Sequence, residues 1–157
     1  MSHFSSIQTQ LSDRQALATG LKTLLDDRGI QTEIEVHDRP VPLENAYDRT
    51  NRSTANVLIR RRFLDTRTRQ ALLDIGFLWN DDGGKFEAVL DRWDFDRNAL
   101  GIEFDTVQDF LNHVQLAHDR AYIEARYPAE LWNYQEQTLE DGTLRTTLTR
   151  KVDLTLA

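Results

Sequence analysis

The sequence predicts an α+β fold in which a mostly antiparallel sheet carries two helices packed on one face. Three observations predict it: only two segments have the apolar period of a helix, most other segments alternate like strands, and the predicted strands follow one another closely. Two helices are too few for a doubly wound parallel sheet, whereas neighbouring strands joined by short turns pair antiparallel. The predicted order is β-α-β-β-β-β-α-β-β, and the length fits a single domain over residues 1–157.

Two helices are predicted from their apolar stripes. In the first, Ser12 and Gln15 have the spacing of a capping box, leucines follow on one face, and Gly29 takes the position just after the helix. The second begins near Asp105 and carries a long stripe of apolar residues. It ends before Pro128, because proline disfavours helical backbone in the residue that precedes it.

The strands are predicted from the alternation of apolar and polar residues. Their ranges are 4–11, 30–36, 56–64, 73–79, 86–93, 132–140 and 143–154. The turn 80–84 joins one hairpin, and Asp141-Gly142 joins another, where it suits a type I′ turn because both central residues need positive φ. The segment 38–54 has two of the three prolines and few apolar residues, so we expect a long loop there.

Composition limits the class of protein. The net charge is −7, which opposes long-range attraction to nucleic acid or to anionic lipid. No stretch of apolar residues is long enough for a membrane span, and the first residues lack the pattern of a signal peptide. Cysteine is absent, which excludes disulfides and thiolate chemistry. These features predict a cytoplasmic protein that does not enter a membrane.

Arginines are concentrated in one part of the chain. Between residues 49 and 70 there are seven arginines and a single acid, Asp65, whereas ten acids lie between residues 74 and 109. Solvated strand faces would explain this pattern, and so would a polar docking surface for a protein partner or a contact with nucleic acid. The candidate partner-binding residues are Arg60, Arg62, Arg67 and Arg69.

The acids Asp91, Asp94 and Asp96 are the candidate metal ligands. Hard cations prefer several carboxylate oxygens, and in a strand Asp94 and Asp96 would share a face. No glycine-bearing calcium loop follows them, and nearby arginines offer simpler ion pairs. His113 and His118 are five residues apart, which places them on different faces of a helix. No nucleophile motif or phosphate loop is present, so we predict no catalytic residue and no cofactor.

Four aromatic residues lie on or next to the central hairpin. An exposed pair of aromatic strands could stack bases, but their acidic neighbours would repel phosphate. We therefore interpret the four as core residues: Trp79, Phe86, Trp93 and Phe95.

Three blocks of the sequence, in order, resemble one family. They are the opening Met-Ser-His-Phe-Ser-Ser-Ile-Gln-Thr, the central Asp-Ile-Gly-Phe at 74–77 with Phe-Glu-Ala-Val at 86–89, and the final Glu-Asp-Gly-Thr-Leu-Arg at 140–145. Together they resemble the plastid and cyanobacterial "hypothetical chloroplast open reading frame thirty-five" family, a domain of unknown function. The family's usual Arg-Tyr-Ala-Tyr-His run is reduced here to Arg120-Ala121-Tyr122. The resemblance implies a small cytoplasmic or stromal protein and, as a candidate partner, an ATPase of the AAA type.

The function predicted first is a soluble adaptor or regulatory module that binds a protein partner, with an AAA-type ATPase as candidate. The uneven charge, the long loop and the lack of a catalytic motif favour it. The first alternative is a divalent-metal-dependent enzyme or ligand-binding protein that uses the acidic cluster 91–96. The second is nucleic-acid binding through the arginine stretch 60–69.

Overall fold

The computed structural model describes residues 2–151 and divides the chain into two compact units, Met1–Ala121 and Tyr122–Ala157. The predicted α+β class and the antiparallel pairing are confirmed. The first unit contains a five-stranded antiparallel sheet, and the second contains a two-stranded antiparallel sheet. Within residues 2–151, no helix is both long enough and apolar enough to cross a membrane.

The sheet of the first unit has the strand order β1-β5-β4-β3-β2. Each strand matches a predicted one, although the ends differ. The bounds are β1 Ser5–Gln8, β2 Ile34–Pro42, β3 Thr54–Ile59, β4 Ile75–Asn80 and β5 Lys85–Leu90.

Residues 2–151 contain four α-helices where two were predicted. The two long ones match the prediction, and two short ones lie between β5 and the last helix. The bounds are α1 Arg14–Asp27, α2 Arg92–Arg97, α3 Ala99–Glu103 and α4 Val107–Arg126, with a 3-10 turn at Arg61–Leu64.

The main hydrophobic core lies between the helices and one face of the sheet. Its fully buried side chains include Leu21 of α1, Phe77 of β4 and Phe110 of α4. A second, smaller cluster includes strand residues that alternate with those of the main core, such as Leu58 between Val57 and Ile59, and therefore face the opposite side of the sheet. This second cluster contains Leu43, Ala55, Leu58 and Val89, with Phe4, Val41 and Leu78 packed against it.

The segment predicted as a long loop covers that opposite face. Its residues 38–42 belong to β2, so the predicted loop 38–54 is wrong at its start. The prolines there are tolerated because β2 is an edge strand, and the pairing with β3 shifts register between Val36 and Val41. Asn45 and Asn51 fasten the remaining loop to the N-terminal segment: Asn45 Nδ2 donates to the Ser2 carbonyl (3.2 Å), and Phe4 N donates to Asn51 Oδ1 (2.7 Å).

The first helix is capped by Asp13 rather than by the predicted Ser12. The Asp13 carboxylate accepts a hydrogen bond from Ala16 N (2.9 Å), and a negative charge is favoured at a helix N-terminus. The backbone N–H of Ser12 donates instead to His118 Nε2 (3.3 Å). At the other end, Gly29 has a φ of 74°, which confirms its predicted position after the helix.

Two predicted strands end early for local reasons. The strand predicted over 56–64 ends at Ile59, because the chain turns into the 3-10 helix at Arg61. The strand predicted over 86–93 ends at Leu90, because Asp91 caps α2.

The second unit contains the last residues of α4 and the predicted C-terminal hairpin. Its strands are β6 Trp132–Thr138 and β7 Leu144–Arg150. The predicted type I′ turn is wrong: Gly142 has a φ of 85°, but Asp141 does not have the positive φ that this turn also needs. Instead Gly142 N donates to the carbonyl of Leu139 (3.0 Å), and Leu139 N donates to that of Thr143 (2.8 Å). The predicted continuation of the last strand over 152–154 lies outside the described residues.

Candidate functional site

The acidic cluster 91–96 forms the start of a helix. The Asp91 carboxylate accepts the backbone N–H of Asp94 (2.9 Å) and caps α2. In a helix, residues two apart point in nearly opposite directions, so the predicted shared strand face for Asp94 and Asp96 is wrong. Asp94 is buried, with 3% of its surface exposed, whereas Asp96 is exposed. Across the described range 2–151, no group of three acids or histidines is arranged to hold a metal ion.

The Asp94 carboxylate ties a neighbouring loop to α2. Its two oxygens accept the backbone N–H groups of Leu72 (2.9 Å) and Leu73 (3.1 Å). Burial raises the pKa of the Asp94 carboxyl, because the charged form loses its hydration, while these backbone donors act in the opposite direction. Asp94 therefore serves as a structural acceptor that positions the chain before β4.

The loop that Asp94 holds has a defined shape of its own. Ala71 N donates to Asp65 Oδ1 (2.8 Å), and Thr66 N donates to the carbonyl of Arg69 (2.8 Å). Arg67 and Arg69 are both exposed on this loop. The loop therefore presents two of the four predicted partner-binding arginines to solvent.

Arg60, another predicted partner-binding residue, belongs to an internal ion network. Its Nε donates to Glu35 Oε2 (2.7 Å), and its Nη1 donates to Asp74 Oδ2 (2.9 Å). The hydrogen bonds that Arg60 donates to Glu35 and then to Asp74 raise the pKa of its guanidinium, and the same contact with Arg60 lowers the pKa of Glu35. His37 extends the network through a contact of 3.0 Å between its Nε2 and Glu35 Oε1. Arg60 is thus placed to stabilise the corner between β3 and β4.

Arg62 lies at the surface with weaker contacts. Its guanidinium carbon lies 4.7 Å from the centroid of the Phe63 ring, and its Nη2 is 3.9 Å from Glu33 Oε2. Because both members of this ion pair are largely exposed, the pair contributes little to stability. The structure therefore places Arg62 at the surface, beside Phe63 and Glu33.

Trp93 brings together two arginines that are distant in the sequence. The guanidinium carbon of Arg97 lies 4.1 Å from the centroid of the indole ring, and that of Arg69 lies 5.4 Å from it. Arg97 Nη1 also donates to the carbonyl of Trp93 (3.3 Å). No carboxylate of residues 2–151 forms a salt bridge with Arg69 or Arg97. We call these three residues, Arg69, Trp93 and Arg97, the Trp93 arginine surface.

Of the three residues of this surface, the sequence predicted a binding role for Arg69 but not for Trp93 or Arg97. Arg69 belongs to the dense arginine stretch, but Trp93 was predicted to be a core residue of a strand, and it is only partly buried. A signal was present in the sequence. Asp91 and Asp94 have a capping spacing, and Trp93 and Arg97 are four residues apart, as neighbours on one helix face are. Of the other predicted core aromatics, Phe86 and Phe95 are buried, whereas Trp79 is 36% exposed.

The histidines of α4 have local structural roles. His118 is buried, and its Nε2 accepts the backbone N–H groups of Ser12 (3.3 Å) and Asp13 (3.1 Å) at the start of α1. Because Nε2 accepts hydrogen bonds, it carries a lone pair and no proton. The hydrogen on the ring therefore lies on Nδ1, which contacts Asp119 Oδ1 (2.8 Å). His113 Nδ1 contacts the carbonyl of Asp109 (2.8 Å).

A groove of about 650 Å³ lies along the loop after β2. Arg49 and Arg52 are exposed at its wall, and Arg61 pairs with Glu44 across a distance of 3.0 Å. The groove is open, and the side chain of Asn45, which also lines it, is bonded to backbone groups of the loop and the N-terminal segment. It therefore lacks the convergent set of reactive side chains that catalysis requires.

No protein-family model matches the chain, and neither a curated protein nor a solved structure matches it.

Proposed function

We propose that the chain is an adaptor or regulatory module that binds a protein partner. The observation that supports this most is the Trp93 arginine surface: two guanidinium groups lie over one indole ring and form no salt bridge within residues 2–151. Tryptophan and arginine are the side chains that most often dominate binding energy at protein interfaces. A guanidinium that is already in contact with an aromatic ring also loses less freedom on binding than a free one, which lowers the entropic cost of an interface.

An AAA-type ATPase is the first partner to test. The sequence blocks at 1–9, at 74–77 with 86–89, and at 140–145 carry the resemblance that suggests it. A cytoplasmic location would be consistent with such a partner.

The two alternative functions have weaker support. A metal-dependent activity at 91–96 would need Asp94, whose oxygens already accept two backbone hydrogen bonds. Nucleic-acid binding through 60–69 would need Arg60, which pairs with Glu35 and Asp74, and the net charge of −7 opposes the approach of phosphate.

The test is quantitative affinity capture with the immobilised full chain, followed by reconstitution with the purified captured protein. We expect the same protein to be enriched in each repeat and to bind in isothermal titration calorimetry. Failure of every enriched protein to bind in reconstitution would overturn the proposal. A rise in Tm with millimolar Mn²⁺ that is absent in the Asp94→Asn variant would instead favour the metal-dependent alternative.

A further inference from the structure

We propose that the Trp93 arginine surface binds an acidic peptide segment, with carboxylate side chains engaging Arg69 and Arg97. This inference rests on the proposed function and adds the chemistry of the partner. The supporting observation is that Arg69, Trp93 and Arg97, which come from two separate parts of the chain, lie together at the surface.

The contacts with Trp93 leave the donors that bind carboxylates available. Within residues 2–151, the side chain of Arg69 donates no hydrogen bond, and its contact with the indole ring is made without one. Arg97 uses one of its N–H groups on the carbonyl of Trp93. The remaining donors of both arginines match the two oxygens of a carboxylate, which they bind through paired, charge-assisted hydrogen bonds.

Both arginines are held in place by contacts around them. Arg97 and Trp93 are one turn apart on α2, which Asp91 caps. The loop that carries Arg69 is attached to the same helix by Asp94 and closed by Asp65. Because the backbone of α2 and of the loop that carries Arg69 is already held by these hydrogen bonds, ordering the site on binding costs little entropy.

An acidic peptide fits this surface better than a nucleic acid does. A nucleic acid carries a phosphate on every nucleotide, so most of its charge would face a protein of net charge −7. The exposed Asp96 lies next to Arg97 in the sequence and adds local repulsion to a continuous line of phosphates. A peptide can place two carboxylates on the arginines, lay an apolar side chain on Trp93, and remain neutral elsewhere.

The experiment uses a fluorescein-labelled octapeptide that contains two glutamates, one leucine and otherwise only glycine and serine. Its binding to the full chain is measured by fluorescence anisotropy at low salt. The test variant is Arg69→Gln/Arg97→Gln. The control is Arg49→Gln/Arg52→Gln, which removes the same charge from exposed arginines that lie away from Trp93. We expect the test variant to weaken binding about tenfold or more and the control to weaken it less than about twofold. In wild-type protein, the indole N–H signal of Trp93 should shift on titration, whereas that of Trp79, which donates to Asp81 near the end of β4, should not.

Four results would overturn the inference. They are the absence of binding by this peptide, an equal loss in both double variants, tighter binding of oligothymidylate that the test variant removes, and self-association in sedimentation that the test variant abolishes. Because all four positions are exposed, we expect both double variants to fold. Circular dichroism and Tm check this.

The captured partner separates this inference from the proposed function. If the partner binds the test variant with wild-type affinity, the acidic-segment inference fails and the protein-binding function stands. If no captured protein binds in reconstitution, the proposed function fails and the inference fails with it.

Discussion

Replacing Asp74 by asparagine should strongly destabilise the first unit. The Asp74 side chain is fully buried and accepts three hydrogen bonds. Its Oδ2 accepts from Glu44 N (2.7 Å) and from Arg60 Nη1 (2.9 Å), and its Oδ1 accepts from Arg61 N (2.7 Å). Asparagine keeps the shape but has only one acceptor oxygen. In either orientation of its amide, at least one donor therefore faces an NH₂ group.

The expected loss of unfolding free energy in Asp74→Asn follows from these contacts. A buried donor that loses its partner costs about 1–3 kcal/mol, and the charge-assisted bond to Arg60 adds about 1.5–3 kcal/mol. Arg60 keeps Glu35 and is 25% exposed, so the lower half of this range applies to it. We expect a loss of about 3 kcal/mol, a large part of the roughly 5–15 kcal/mol that stabilises a typical domain. For a chain of about 150 residues, this corresponds to a fall in Tm of roughly 6–12 °C.

Urea unfolding followed by circular dichroism measures the loss, and hydrogen exchange at the amides of Glu44 and Arg61 locates it. The matched control is Asp96→Asn, an exposed acid whose replacement should change stability by less than about 0.5 kcal/mol. A double-mutant cycle with Arg60→Gln isolates the ion pair. If Asp74→Asn unfolds within about 0.5 kcal/mol of wild type, the buried carboxylate does not hold this corner, and the structural role assigned to Arg60 is wrong.

Two further substitutions test the packing and the ion network. Gly20→Ala should destabilise by about 1–3 kcal/mol in urea unfolding despite the better helix propensity of alanine, because its Cβ would lie 2.8 Å from backbone atoms of Ala117 and His118. Gly83→Ala, with no heavy atom within 4 Å, is the control, and a stabilised Gly20→Ala variant would contradict the close packing of α1 on α4. Glu35→Gln should destabilise at neutral pH and progressively less as the pH falls below 4.5: Arg60 lowers the pKa of Glu35 in the folded state, so the stability contributed by its charged form is lost as the pH falls through that lowered value. Unfolding measured at a series of pH values checks this, and a difference that stays constant with pH would rule out the titration of Glu35 as its source.

The predictability of each element depended on its length and on how local its contacts are. The helices α1 and α4 run for 14 and 20 residues and show a clear apolar period. The helices α2 and α3 have 6 and 5 residues, which is too short for a period to be visible, so the predicted strand 86–93 ran into α2, and α3 was not predicted at all.

The candidate site was predictable only in part for a similar reason. Arg60 and Arg69 look alike in the sequence, since both lie in an arginine-rich stretch. Their roles differ because of their partners. Arg60 pairs with Glu35 of β2 and with Asp74, which directly precedes β4, whereas Arg69 contacts Trp93 at the surface. These contacts join residues that are 14 to 25 positions apart, and local sequence patterns do not encode such pairings.

The local charge of the surface is determined by which acids the fold buries. Asp74 and Asp94 are buried and accept backbone N–H groups, so their charges face the interior contacts that they stabilise. The guanidinium groups of Arg69 and Arg97 remain outside, although the chain as a whole is acidic. Asp94 contributes to this arrangement twice, because it removes one negative charge from the surface and attaches the loop of Arg69 to the helix of Trp93. The residue whose type suggested a metal ligand thus helps to build a cationic surface, which is why we place the candidate function at the arginines rather than at the acids.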